Sequence, residues 1–80
     1  MNVARSTEDR LADCFASVFP AVAVDELRSA SASSVPDWDS IALATLIAAV
    51  EEEFGIIFST DAYPGLNSFD AFRRQIEELP

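Results

Sequence analysis

The sequence predicts a small all-α domain, an antiparallel four-helix bundle of three longer helices and one short one. Apolar residues recur at three- and four-residue spacing in three separate stretches, each bounded by capping or breaking residues, and nothing alternates long enough to be a strand. With 80 residues the chain makes one domain, 1–80, burying about 60% of the surface its unfolded form would expose. Half of the residues are apolar, which predicts a folded chain despite a formal net charge of −9.

The first helix takes Ser6 or Thr7 as its cap and places Glu8 and Asp9 in its opening turn, where the helix dipole favours acids. Leu11, Phe15, Val18 and Phe19 form its inner stripe, and Pro20 ends it. Cys14 falls beside that stripe, so its expected role is a small thiol at the edge of the core. As a single cysteine in a chain without histidine, it completes neither an internal disulfide nor a zinc site.

From Ala21 to Asp39 runs a connection long enough to be functional or to hide a short helix. Val22, Val24 and Leu27 are expected to pin its first half to the core, and the small-residue stretch Ser29 to Ser34 is expected to be mobile. Pro36-Asp37 favours a turn.

The second long helix is predicted from Asp39 or Ser40 to Phe54, with Gly55 as a left-handed terminator and Ile56 folding back on the last turn. Leu43, Leu46, Ile47, Val50 and Phe54 share its core face. The opposite face holds Ile41, Thr45, Ala48 and Glu52, flanked by Ala44 and Glu51. Beyond Ile56 to Phe58, residues Ser59 to Tyr63 are expected to hold one helical turn, broken by Pro64-Gly65. Asn67 with Asp70 reads as a capping box for the last helix, whose stripe is Phe69, Phe72, Ile76 and Leu79.

Fourteen acids face five bases, all arginine, and between Ser29 and Asp70 every charged residue is an Asp or Glu. Such a field repels nucleic acid and steers basic protein patches toward it. The longest apolar run, Ile41 to Val50, is half of what a membrane span needs, and the first residues lack the pattern of a signal peptide. The expected setting is the cytoplasm, without membrane insertion.

Catalytic readings fail at the sequence. Without His or Lys no serine or cysteine has its usual base within the chain, and no glycine-rich loop offers to cradle a nucleotide. Asp37 and Asp39 lack the glycine and the terminal acid of a calcium loop. The chain is therefore expected not to be an enzyme and to hold no metal. What stands out is Ser40, a hydroxyl at the start of a helix, where free backbone N–H groups favour a phosphodiester. It is badly placed to act as a catalyst and well placed to carry an attached group. The plainer role, a simple helix cap for Ser40 or Asp39, competes with this. Two features weigh against it: Glu51, Glu52 and Glu53 crowd the helix end where the dipole disfavours acids, and Ile41 is a large aliphatic side chain facing outward beside the serine.

Taken together, Asp39-Ser40-Ile41, followed at the right distance by Glu51-Glu52-Glu53-Phe54-Gly55-Ile56, resembles the acyl carrier proteins of the phosphopantetheine-binding family, with their Asp-Ser-Leu motif and acidic end of helix II. The resemblance covers essentially the whole chain. It implies that a phosphopantetheinyl transferase attaches 4'-phosphopantetheine, taken from coenzyme A, to Ser40, and that the arm's thiol then carries acyl groups as thioesters. It further implies that Asp39 helps present the serine. Ile41, Ala44, Thr45, Ala48, Glu51 and Glu52 would meet acyl-loading and acyl-processing enzymes with basic docking patches, and the carrier would be a monomer.

Two departures qualify the likeness. Where carriers of fatty-acid synthesis usually have acids after the serine, this chain has Ala42 and Thr45, and Trp38 precedes Asp39 in place of the usual Gly-Ala entry. Simple packing is the expected role of Trp38. Both changes favour a specialised lipid or secondary-metabolite pathway over housekeeping fatty-acid synthesis. The alternatives are a free-standing peptidyl or aminoacyl carrier and an acidic interaction module whose Ser40 stays unmodified.

Overall fold

The structure, a computed structural model, describes residues 6–78. It contains three α-helices, α1 (Thr7–Val18), α2 (Ser40–Phe54) and α3 (Phe69–Glu78), and two short 3-10 helices, Val24–Ser29 and Thr60–Gly65. Among the described residues there is no strand, only an isolated antiparallel bridge between Ser31 and Ser68.

Ser6 caps α1, its hydroxyl accepting the Asp9 N–H at 3.0 Å. The helix buries Leu11, Cys14 and Phe15, and Phe19 closes it by donating to the Phe15 carbonyl at 2.8 Å. α1 is the central element, packed against α2, α3 and the first 3-10 helix. Phe15 is its hub, with Phe69 and Phe72 at ring-centroid distances of 5.0 and 5.6 Å. Burying aromatic rings of this size supplies much of the cohesion available to so small a domain.

The first 3-10 helix is the short helix hidden in the long connection. It buries Leu27, but Val24 is 76% exposed, contrary to expectation. A single short turn reaches the core with one large side chain. Leu27 takes that place, while half-buried Val22 turns back on α1 through its N–H to the Phe19 carbonyl.

The serine-rich stretch is held in place by hydrogen bonds. Its backbone pairs with the entry to α3 (Ala32 N–H to Asn67 carbonyl, 2.8 Å; Phe69 N–H to Ala30 carbonyl, 2.9 Å), and the Ser31 and Ser34 hydroxyls bond each other at 3.2 Å. Those contacts also move the predicted cap of α3. The Asn67 carbonyl is spent on Ala32, so Ser68 caps the helix by accepting the Ala71 N–H at 3.0 Å, and Asp70 binds Arg73 and Arg74 instead.

α2 follows expectation at both ends: Asp39 is its cap, and Gly55 adopts the left-handed conformation (φ 65°) that lacks a Cβ penalty only for glycine. Leu46, Ile47 and Val50 are buried, with Leu43 and Phe54 packed at the margin. In the second 3-10 helix Pro64 lies inside the element and does not break it. Proline's fixed φ matches 3-10 geometry, and a helix this short loses only one hydrogen bond. Phe69 and Phe72 bury the inner face of α3, Ile76 packs beside them, and Leu79 lies outside the described residues.

Candidate functional site

The approach to Ser40 is fixed by two anchors. Val35 is buried and donates to the Ser31 carbonyl at 2.9 Å, and Trp38 stacks on Phe19 at 5.3 Å with its edge against Phe15 at 5.7 Å. Trp38 is thus a packing residue, as the sequence predicts. Its indole sets where the chain emerges from the core, and the three residues that follow, Asp39, Ser40 and Ile41, are all exposed.

Asp39 Oδ1 accepts the Ala42 N–H at 2.8 Å, and the Asp39 carbonyl accepts the Leu43 N–H at 2.9 Å. The capping role falls to Asp39, which leaves the neighbouring hydroxyl unengaged: among the described residues nothing hydrogen-bonds the Ser40 side chain. Ser40 is the first residue of α2, beside the positive end of a fifteen-residue helix. Ile41 is 76% exposed.

Of the six residues expected to meet partners, Ile41, Ala44, Thr45, Ala48 and Glu52 are exposed together along α2. They span about 18 Å at 1.5 Å per residue. The Thr45 hydroxyl is turned onto its own helix, donating to the Ile41 carbonyl at 2.9 Å. Glu51 departs from the group. Its carboxylate accepts the Phe58 N–H at 2.9 Å in a partly buried setting, tying the segment after α2 back to the helix.

Glu53 is likewise engaged. Arg10 donates from Nε to its carboxylate at 2.9 Å and from Nη2 to its carbonyl at 2.6 Å, while the guanidinium lies 4.3 Å from the centre of the Phe54 ring. This places a cation at the negative end of α2, the supply of positive charge that the sequence there lacks. Arg28 pairs with Glu8 and Asp9, and Arg73 and Arg74 pair within α3. Asp37, Asp39 and Glu52 therefore have no ion-pair partner among the described residues, so the face formed by Ile41, Ala44, Thr45, Ala48 and Glu52 is mostly apolar, with Asp39 at its head and unpaired charge at Glu52.

Burial pushes the Cys14 thiol up to about 11, with the nearby Glu53 and Asp13 carboxylates adding to the effect. It is a packed thiol, not a nucleophile. The Arg73 guanidinium, hydrogen-bonded to Asp70, holds that carboxyl below its ordinary range and is itself raised in return.

A feature absent from the sequence reading lies beside the Ser40 approach. An open cleft of about 590 Å³ is bounded by Ala21 and Val22 in the segment after α1, the first 3-10 helix and the turn at Pro36 and Asp37. Its walls come from residues up to sixteen positions apart, and no sequence pattern marks it. Neither was the Arg10 clasp legible, since its partner Glu53 is 43 residues away.

Among the described residues no group of His, Cys, Asp and Glu is placed to hold a metal ion, and no helix is long and apolar enough to cross a membrane. No protein family, characterised protein or solved structure matches the chain. Chemically the site offers an exposed, unengaged primary hydroxyl on a rigid support, with no histidine or lysine in the chain to activate it and a mostly apolar face beside it that ends in Glu52.

Proposed function

We propose that the protein is an acyl carrier, modified on Ser40 with 4'-phosphopantetheine and serving a specialised lipid or secondary-metabolite pathway in the cytoplasm. In the loading step Ser40 Oγ attacks the β-phosphorus of coenzyme A. The bond from that phosphorus to the bridging oxygen breaks, adenosine 3',5'-bisphosphate leaves, and the serine proton passes to a base of the phosphopantetheinyl transferase. The transferase is the expected source of that base, since this chain has no histidine or lysine and the Asp39 carboxylate beside Ser40 is engaged in capping α2. The arm's thiol then holds acyl groups as thioesters for enzymes that act on them. The protein is their substrate and not itself an enzyme.

The observation that carries this reading is the division of labour at the start of α2. Asp39 performs the capping and Trp38 the anchoring, so the Ser40 hydroxyl is left exposed and unengaged. A serine kept only for stability would be the cap itself. Three α-helices with a short helix before α3 suit the family's antiparallel four-helix bundle, the first 3-10 helix being an addition within its long loop. Exposed Ile41 suits an apolar socket on a partner, and unpaired Glu52 suits a basic one.

The test is intact mass after incubation with coenzyme A and a broad-specificity phosphopantetheinyl transferase. A phosphopantetheine-sized gain, lost in Ser40→Ala, is the expected result. A folded protein whose mass stays unchanged with several transferases would instead indicate an interaction module.

A further inference from the structure

We propose that the cleft beside the Ser40 approach receives the loaded end of the arm, and that the cargo it is built to hold is an aminoacyl group, an acyl chain bearing an ammonium. This inference rests on the carrier reading above, in which Ser40 bears the arm, and takes for its cargo the aminoacyl alternative.

Position is the first argument. Val35, Pro36 and Asp37 form one wall of the cleft, and Asp37 precedes Ser40 by three residues. Three residues span at most about 10 Å, well within reach of an extended pantetheine arm. The Val35 and Trp38 anchors hold this wall and the attachment point in one rigid unit, so the reach does not depend on loop movement.

Composition is the second argument. The cleft's accessible apolar lining comes from small aliphatic groups, Ala21, Val22 and Pro36, with buried Ala30 and Val35 behind them, and it fits a short branched or unbranched side chain. Its volume, about 590 Å³, lies within the ordinary range for small-molecule sites.

Charge is the third. Glu26 and Asp37 both line the cleft, and neither has an ion-pair partner among the described residues. Arg28, two positions from Glu26, is turned away to Glu8 and Asp9. A neutral acyl group gains nothing from two unneutralised carboxylates, whereas an ammonium is attracted by both. The aminoacyl thioester is thus the member of the carrier cargo classes that matches the apolar lining and the two carboxylates together.

The experiment compares two cargoes that differ only in the ammonium. Amide-linked valyl and isovaleryl analogues of coenzyme A are loaded onto the full chain by a broad-specificity transferase, and backbone amide resonances are followed by NMR. The expected result is that the valyl form shifts the amides of Val22, Glu26, Ala30 and Val35 more than the isovaleryl form does. In the loaded double variant Glu26→Gln, Asp37→Asn, both exposed side chains, that difference is lost. Equal shifts with the two cargoes, no shift in the cleft, or a difference that survives the double variant would overturn the proposal while leaving the carrier reading intact. Failure of both analogues and of coenzyme A itself to add mass to Ser40 would overturn the carrier reading, and the cleft assignment with it.

Discussion

The two ends of α2 are put to opposite uses. At its start Asp39, Ser40 and Ile41 emerge from a firmly packed tryptophan, and the Ser40 hydroxyl and Ile41 side chain make no internal bond among the described residues. At its end the Glu51-Glu52-Glu53 run is largely consumed by the fold: Glu51 holds the Phe58 N–H, and Arg10 clasps Glu53 and the helix carbonyl. An acidic run that reads as a docking surface is thus two parts structure to one part free charge. Exposed chemistry concentrates where the fold asks nothing of the side chain.

The contrast is sharpest between adjacent glutamates. Glu51→Ala leaves the Phe58 N–H without its charged acceptor, and a cost of about 2 kcal/mol is expected in urea unfolding. Glu52→Ala touches nothing internal and is expected to stay within about 0.5 kcal/mol while weakening docking to a basic partner. Equal costs for the two would dissolve the distinction. At the other end, Asp39→Ala removes the α2 cap and is expected to cost about 1 kcal/mol, with Ser40→Ala close to neutral. If Ser40→Ala proved as costly as Asp39→Ala, the serine would be a structural cap after all.

Cys14 tests how dry the closed side of α2 is. Its folded value of about 11 lies above the usual 9.0, so the folded state keeps a proton that the unfolded chain gives up first. Its stabilising contribution is complete below pH 9 and is lost as pH rises from there toward 11, in wild type but not in Cys14→Ala. At neutral pH the thiol is expected to resist alkylation until the protein unfolds. Rapid alkylation of folded protein would place it at an open surface.

The smallest effect is that of salt. With a net charge of −9, screening is expected to raise the melting temperature slightly. The Arg10–Glu53 and Arg28 pairs oppose that rise, because screening weakens them as well. A melting temperature that falls with salt would mean that these pairs outweigh the general repulsion.

Much of the fold was legible because local rules governed it. Ser6 before Glu8 and Asp9, Gly55 after Phe54, and the spacing of Leu46, Ile47 and Val50 are signals a helix must obey whatever it packs against. The failures occurred where a distant partner decided. Asn67 yielded the α3 cap to Ser68 because Ala32, 35 positions earlier, occupies its carbonyl, and the serine stretch expected to be mobile is held by that same contact. Of the candidate site, Ser40 and Ile41 could be read from a motif and a helical face. The bond from the Phe58 N–H to Glu51 was not legible because it depends on how the chain folds back after Gly55, and the cleft was invisible because its walls meet only in three dimensions.

Ser40, and no neighbouring serine, is the proposed attachment point. The most direct test is proteolysis of the loaded protein followed by tandem mass spectrometry to locate the phosphodiester. The whole modification is expected on Ser40, since the hydroxyls of Ser29, Ser31 and Ser34 are bonded within their turn. A phosphopantetheine on any of the serines from 29 to 34, or on none, would contradict it.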